Sequence, residues 1–174
     1  MSASPHPVAM VLMGVSGSGK TTIGELIAQR AAMVFLDGDD LHPPENKAKM
    51  ASGQPLNDDD RRPWLTDVGN AAAELLNQGI SIVVACSALK RKYRDWLREQ
   101  IPTVVFIHLQ GQEGSIAARI AGRTHEYMPA SLLESQLTAL EPLGPTERGI
   151  AVSIDESPNA IVERIMAAMD DWRG

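Results

Sequence analysis

Apolar residues along this chain follow two alternating patterns, one continuous and one with a spacing of three to four residues. Short continuous runs predict buried strands, and the spaced pattern predicts amphipathic helices. Strands are predicted at residues 8–13, 34–36, 80–86, 103–109 and 150–154. Helices are predicted at residues 23–31, 46–51, 68–76, 89–97, 116–120, 132–140 and 158–169. Because strands and helices alternate, we expect an α/β fold with a five-stranded parallel sheet sandwiched by helices.

The stretch from residue 41 to residue 65 interrupts this alternation. Its prolines, its glycine and its run of acids are too disruptive for a long element, so we expect a short substrate-binding insertion there. Residues 1–7 are expected to form a loose N-terminal tail and not a signal peptide, because they lack a basic region followed by a long apolar one. With no linker and no internal repeat, residues 1–174 are expected to form a single domain.

The charge balance and the cysteine content restrict location and partners. The 174 residues include 16 Lys and Arg against 22 Asp and Glu, a net charge of −6. This balance argues against a general binder of nucleic acid or of anionic membranes. The longest apolar runs are far shorter than the roughly 20 residues that cross a bilayer, so no transmembrane helix is expected. The single cysteine, Cys86, excludes an internal disulfide and fits a cytoplasmic location.

A glycine-rich motif lies between the first predicted strand and the first predicted helix. It follows the pattern G-x-x-x-x-G-K-T and consists of Gly14, Val15, Ser16, Gly17, Ser18, Gly19, Lys20 and Thr21. In this context the glycines let backbone N–H groups turn towards phosphates, and the helix N-terminus adds partial positive charge. Lys20 is expected to reach the β- and γ-phosphates of ATP, and the Thr21 hydroxyl is expected to bind Mg²⁺. The motif therefore predicts a P-loop nucleotide-binding protein.

Aspartates follow two of the predicted strands. Asp37 closes the second strand and Asp155 closes the last. P-loop proteins use a second carboxylate near the metal, supplied from the end of a neighbouring strand. Only Asp37 is followed by further acids and then by the insertion, so we favour Asp37 for the magnesium shell and Asp39 as the base for an acceptor hydroxyl. The alternative is an aspartate cluster that only caps a turn.

The insertion carries several cations beside its acids. Lys47, Lys49, Arg61 and Arg62 suggest an anionic or polyhydroxylated acceptor, and the acids at residues 58–60 could hold these cations in place. Taken alone, each of these basic residues is more typical of a solvated surface than of a binding site. His42 follows the acidic cluster and is a candidate for binding an acceptor hydroxyl, with a purely structural histidine as the alternative.

Two more groups of basic residues lie outside the insertion. Residues 90–98 combine basic and aromatic side chains, as a nucleic-acid patch does. Their apolar members share one helical face, so we expect the basic residues to form the wet face of a packing helix, with the first of them near enough to Ser87 to reach a substrate anion. Arg119 and Arg123 are four residues apart and are candidates for contacting nucleotide phosphates.

Taken together, these motifs resemble those of the gluconokinase family. The resemblance extends from Val8 to the last predicted helix. Besides the P-loop it rests on the blocks at residues 35–43, 49–50, 53, 55–56, 58–61, 63–65, 85–90 and 135–136. Membership implies an adenylate-kinase-like fold with a mobile lid, here at about residues 119–130. It also implies the transfer of the γ-phosphoryl group of ATP to D-gluconate, which gives 6-phospho-D-gluconate and ADP.

The resemblance also implies individual roles. Asp37 falls at the metal-shell aspartate and Asp39 at the acceptor-hydroxyl aspartate, while Arg119 and Arg123 fall at the lid arginines. The candidates for the gluconate pocket are Asp39, His42, Lys49, Arg61, Ser87 and Arg91. A homodimer is the assembly that the family suggests.

The lid departs from the family pattern. The family often has His-Phe-Met-Pro where this chain has Glu126, Tyr127, Met128 and Pro129, so the role of that histidine does not carry over. The adjacent His125 is a candidate substitute.

Two other functions compete with this interpretation. One is a kinase on the same scaffold that phosphorylates shikimate, adenylylsulfate or a nucleotide, because the P-loop and the acids at residues 37–39 do not separate these acceptors. The other is a nucleotide-dependent regulatory switch. Guanine-reading switches carry an Asn/Thr-Lys-x-Asp stretch, and this chain has none.

Overall fold

The fold is described from a computed structural model, which covers residues 6–112, 116 and 130–173. The strands are β1 Ala9–Met13, β2 Val34–Asp37, β3 Ile82–Ala85, β4 Val105–Gln110 and β5 Gly149–Ser153. The helices are α1 Lys20–Ala31, α2 Pro44–Ala51, α3 Asp58–Asn77, α4 Arg91–Gln100, α5 Ala130–Ala139 and α6 Pro158–Arg173. A 3₁₀ turn at Gly38–Leu41 follows β2. The helix predicted at 116–120 and the lid predicted at 119–130 lie outside the described residues, apart from residues 116 and 130.

The five strands form one parallel sheet in the order β2-β3-β1-β4-β5. Every residue of β1 and β3 is buried, as are five of the six residues of β4, whereas the edge strands β2 and β5 are mostly part-exposed or exposed. Central strands covered on both faces need apolar side chains at every position, which is why they are continuous apolar runs in the sequence. The predicted five-stranded parallel sheet is confirmed.

Helices cover both faces of the sheet. Met10 and Leu12 of β1 point to the face that packs against α1 and α6, while Val11 and Met13 point to the face that packs against α3 and α4. This division follows from the alternation of side chains along a strand. Each face of β1 is therefore sealed from water by two helices.

Helix α3 differs from the sequence expectation. It begins at Asp58, inside the stretch whose composition predicts no long element, and that prediction is wrong. The Asn57 side chain accepts a hydrogen bond from the Asp60 N–H (2.7 Å), and the Asp60 carboxylate accepts one from the Asn57 N–H (2.9 Å). This reciprocal capping box starts the helix. Pro63 lies near that start, and the buried Trp64 and Leu65 follow it directly.

Helix α4 also differs from the sequence expectation. Its basic residues were expected to lie on the wet face, yet Arg94 is fully buried. Arg94 donates to both carboxylate oxygens of Glu147, at 2.7 and 3.0 Å, and to the carbonyl oxygen of Ala88 at 2.9 Å. Arg98 and the Gly144 N–H also donate to Glu147. A buried charge needs a complete set of such partners, and only the folded chain brings them together.

Replacing Glu147 with glutamine tests this buried pair. The variant leaves the Arg94 guanidinium buried without a countercharge, so we expect a loss of about 3–5 kcal/mol in the free energy of unfolding, measured by urea denaturation. The same substitution at Glu156, which pairs with the exposed Arg164, should cost less than about 1 kcal/mol. Equal losses in the two variants would contradict the assigned role.

The acid sensitivity of the same pair gives a second prediction. Burial alone would raise the pKa of Glu147, but hydrogen bonds from Arg94, the Gly144 N–H and Arg98 outweigh it and lower the pKa from 4.5 to about 2. A carboxyl with a lowered folded-state pKa stabilises the fold above its unfolded value and loses that contribution as the pH falls towards 2. The stability advantage of the wild type over Glu147→Gln should therefore shrink between pH 4.5 and pH 2 in urea titrations. An advantage that stays constant over this range would refute the assignment.

Candidate active site

The site lies at the edge of the sheet where the parallel strands end. The chain leaves β1 into the glycine-rich loop, leaves β2 after Asp37 into the 3₁₀ turn, and leaves β3 into the segment that contains Ser87. The Gly14 N–H donates to the Ser87 carbonyl oxygen (3.1 Å), which ties the first loop to the third. Open parallel sheets bind ligands at this edge.

The glycine-rich loop has the backbone that its glycines permit. Gly14, Gly17 and Gly19 have φ values of 145°, 84° and 97°. A Cβ at Gly14 would lie 2.9 Å from Ser18 Oγ and 3.0 Å from the Leu109 carbonyl oxygen, so no side chain fits there. Gly19 takes its left-handed conformation at the N-cap of α1, where no side chain caps the helix. The loop is thus a cradle whose helix N-terminus favours an anion.

Lys20 is the first residue of α1 and lies across this cradle. Its Nζ donates to the carbonyl oxygens of Gly14 and Val15, both at 3.0 Å. The ammonium group is therefore held at the mouth of the loop, where a nucleotide phosphate would meet it. Thr21 follows it in the first turn of α1.

The two candidate aspartates are positioned by the turn after β2. Asp37 Oδ1 accepts a hydrogen bond from the Asp39 N–H (3.0 Å) and so caps the 3₁₀ turn. Trp64 Nε1 donates to the Gly38 carbonyl oxygen (2.7 Å), and a Cβ at Gly38 would lie 2.8 Å from the Ala85 carbonyl oxygen. The turn is thereby fixed against both α3 and β3. The Asp39 side chain is 79% exposed.

A cavity of about 260 Å³ opens between the loop, the 3₁₀ turn, the insertion and α5. It is lined by Ser16, Lys20, Asp39, His42, Lys47, Met50, Pro55, Leu56, Arg61, Ser87, Ser135 and Gln136. The lining brings three basic side chains together in a protein whose net charge is −6. The cavity therefore suits a small anionic ligand that also offers hydroxyl groups.

The structure brings most of the predicted pocket residues together. Asp39, His42, Arg61 and Ser87 all line this cavity with Lys20. Lys49 instead pairs with Asp60 at 2.7 Å, and Arg91 donates to Thr146 Oγ1 at 3.2 Å. Neither is among the residues that line the cavity, and their roles in binding stay predictions. Arg119 and Arg123 lie outside the described residues.

The acids of the insertion neutralise cations beside the cavity. Hydrogen bonds from Lys92, Tyr93 and Lys90 lower the pKa of Asp58 far below its usual value, and the hydrogen bond from Lys49 is the main cause of the lowered pKa of Asp60. These carboxylates are therefore ionised at neutral pH. Lys47 and Arg61 come from the same insertion, and both line the cavity.

Lys47 and Gln136 line the cavity, although neither is among the residues that the sequence analysis assigns to the gluconate pocket. Lys47 is one of the insertion cations from which the sequence suggests an anionic or polyhydroxylated acceptor. Gln136 comes from α5, and its Oε1 accepts a hydrogen bond from the Ser16 N–H in the glycine-rich loop (2.7 Å). The two residues are 120 positions apart, so no local pattern could pair them. The one available signal for Gln136 was its place in a block that resembles the family.

Comparisons with known proteins identify the family. A family model described as an AAA domain matches residues 10–143. The gluconokinase of Gluconobacter oxydans (strain 621H) is 44% identical over 160 residues, which cover 92% of this chain and 90% of that protein. The chain belongs to the gluconokinase family. The thermoresistant gluconokinase of Escherichia coli (strain K12), at 42% identity and 87% coverage of both chains, is a further similar member of the gluconokinase family.

Solved structures agree with this family assignment. A gluconokinase from Sinorhizobium meliloti 1021 superposes with a TM-score of 0.86 at 44% identity, covering 98% of this chain and 95% of that one. An APS kinase from Mycobacterium tuberculosis has a TM-score of 0.70 at 14% identity, covering 96% of this chain and 99% of that one, which shows a shared fold alone. Within the described part of this gluconokinase-family chain, no helix is long and apolar enough to span a membrane.

Proposed function

We propose that this chain transfers the γ-phosphoryl group of ATP to the 6-hydroxyl of D-gluconate, giving 6-phospho-D-gluconate and ADP. The observation that carries the proposal is that Lys20 of the phosphate cradle, Asp39 and Arg61 line one shared cavity. The family relationship supports gluconate as the acceptor. D-Gluconate carries one carboxylate and several hydroxyls, which matches a cationic cavity with polar walls.

The glycine-rich loop suits the phosphates of ATP. A cradle without side chains, the N-terminus of α1 and the Lys20 ammonium group all favour negative charge. The Thr21 hydroxyl and the Asp37 carboxylate offer the oxygen ligands that Mg²⁺ prefers, so we assign them to the metal, directly or through water. Bound Mg²⁺ supplies neutralisation of the charge on the β- and γ-phosphates.

The acceptor hydroxyl meets Asp39. In the transfer, O6 of gluconate forms a bond to the γ-phosphorus as the bond from that phosphorus to the β–γ bridging oxygen breaks. The proton of the hydroxyl passes to the Asp39 carboxylate, and ADP leaves with the bridging oxygen. Arg61 and Lys47 are the cavity cations suited to the gluconate carboxylate.

Gln136 adds a donor to the same space. A backbone N–H can only donate, so the atom that accepts the hydrogen bond from the Ser16 N–H is the amide oxygen of Gln136. Its amide nitrogen is then the end left to face a ligand, and we assign it to an oxygen of gluconate or of the γ-phosphoryl group. This contact would tie α5 to both the loop and the substrates.

The lid and the insertion complete the proposal. Arg119 and Arg123 are proposed to stabilise charge on the transferring phosphoryl group from the lid at about residues 119–130. Closure of the lid and of the insertion at residues 41–65 would exclude water and so prevent hydrolysis of ATP. A homodimeric assembly and a cytoplasmic location stay predictions.

An assay of ADP release tests the substrate assignment. Purified protein with Mg-ATP is given D-gluconate, shikimate, adenylylsulfate, AMP or no acceptor, with Lys20→Ala as the blank. Removal of one electrostatic contact to a transferring group costs about 10²–10³ in kcat, so turnover with gluconate should be at least that much lower in the blank. Turnover with another acceptor alone would replace gluconate, and turnover that needs no acceptor would favour a nucleotide-dependent switch.

A substitution of the base gives a further prediction. Asp39→Asn keeps the shape of the side chain but cannot take the proton, so kcat with gluconate should fall by about 10²–10⁴ while the affinity for ATP is retained. Asp40→Asn removes the same charge one residue away and is the matched control. Steady-state kinetics and nucleotide titration check both variants, and similar kcat values for the two would remove Asp39 from this role.

A further inference from the structure

The environment of His42 suggests a role that the proposed chemistry has not used. The imidazole is buried and stacks on the Trp64 ring, with centroids 3.8 Å apart and planes inclined by 20°. Its Nδ1 lies 3.2 Å from Asn46 Nδ2, and its Nε2 lies 3.7 Å from Asp39 Oδ1. The two ring nitrogens therefore face two different partners, one of them the proposed base.

The orientation of the Asn46 amide follows from its second contact. Asn46 is buried, and its Nδ2 lies 3.0 Å from the Asp60 carbonyl oxygen. A carbonyl oxygen only accepts hydrogen bonds, so the group facing it is the NH₂ end of the amide. One of its two hydrogens is used by Asp60, and the other points to His42 Nδ1.

This orientation decides the tautomer of His42. A ring nitrogen that accepts a hydrogen bond carries no proton, so Nδ1 is unprotonated and the ring hydrogen is on Nε2. Burial, with Arg61 and Lys47 nearby, lowers the pKa of His42 to about 4, so the ring is neutral at pH 7. The Nε2–H bond then faces the Asp39 carboxylate.

We propose that Asn46 is a positioning residue that fixes the Nε2–H tautomer of His42, so that His42 directs a donor at Asp39 and holds this carboxylate towards the acceptor hydroxyl. The inference rests on the proposed transfer, in which Asp39 accepts the proton. It also assigns His42 as a donor and excludes it as a proton acceptor in the cavity. The 3.7 Å separation is longer than a hydrogen bond, so the proposed contact requires the exposed Asp39 side chain to turn towards Nε2.

The side chains of Asp39 and His42 differ in burial. Its side chain is 79% exposed, whereas that of His42 is 3% exposed and is fixed by Trp64 and Asn46. A rigid, buried donor beside a solvent-facing carboxylate narrows the directions in which the carboxylate points. Misplacing a reacting group by about 1 Å costs about 10²-fold in rate, so this restraint has a measurable effect.

The tautomer is tested by NMR on the full-length, unliganded protein. A two-bond ¹H–¹⁵N spectrum at pH 7, with the His42 signals assigned by their loss in His42→Gln, should show a protonated Nε2 and an unprotonated Nδ1. Asn46→Asp presents only acceptors to the ring and should move the proton to Nδ1. A wild-type spectrum with the proton on Nδ1 would overturn the inference.

Kinetics test the consequence for Asp39. Asn46→Asp should lower kcat with gluconate by about 10- to 100-fold and leave KM for ATP near the wild-type value. Ser52→Ala, which removes an exposed hydrogen bond to the Lys49 carbonyl oxygen at the C-cap of α2, is the control from the same element and should keep the wild-type kcat. An unchanged kcat in Asn46→Asp would refute the positioning role.

A second pair of variants covers the case in which Asn46→Asp does not fold. His42→Gln can still donate towards Asp39, whereas His42→Leu cannot, so the glutamine variant should retain at least about 10-fold more of the wild-type kcat. Equal losses in the two variants would overturn the donor assignment. Failure of the proposed function is recognised separately, because the wild type would then show no turnover with gluconate whatever the NMR spectrum of His42.

Discussion

The parallel pairing of β3 with both β1 and β2 fixes where each group of the site lies. Leu12 of β1 and Asp37 of β2 both pair with Ala85 of β3, so the three strands end at the same level. The phosphate loop, the 3₁₀ turn with Asp39 and the segment with Ser87 consequently leave the sheet side by side. The spacing between the phosphate loop and the start of the 3₁₀ turn is thus set by a hydrogen-bonded sheet.

The buried Arg94–Glu147 pair joins the segment after β3 to the segment between α5 and β5. Arg94 binds the carbonyl oxygens of Ala88 and Leu89, just after Ser87, and Glu147 lies in the segment between α5 and β5. The Glu141 N–H donates to the Leu89 carbonyl oxygen at 2.8 Å, which joins the same two segments. These contacts hold the segment after α5 against the segment after β3. Gln136 of α5 contacts the phosphate loop. The same buried charges therefore stabilise the fold and join the segment after Ser87 to the segment after α5.

The features predictable from the sequence are those with a local physical cause. Continuous apolar runs indicate central parallel strands, and the glycine pattern before Lys20 indicates a phosphate cradle. The choice between Lys47 and Lys49 has no local cause, because residues two apart point to different sides of a helix and only the packing of α2 decides which side meets the cavity. Arg94 and Gln136 were missed for a similar reason. Their partners, Glu147 and Ser16, are 53 and 120 positions away.

The proposed transfer requires one cavity that holds gluconate with its 6-hydroxyl between Asp39 and the γ-phosphate. A crystal structure of the protein with Mg²⁺, a non-hydrolysable ATP analogue and D-gluconate would show this arrangement. We expect O6 within hydrogen-bond distance of Asp39 and facing the γ-phosphorus, with the gluconate carboxylate among the cations of the insertion. Gluconate bound with its carboxylate end at Asp39, or bound outside this cavity, would refute the proposed transfer.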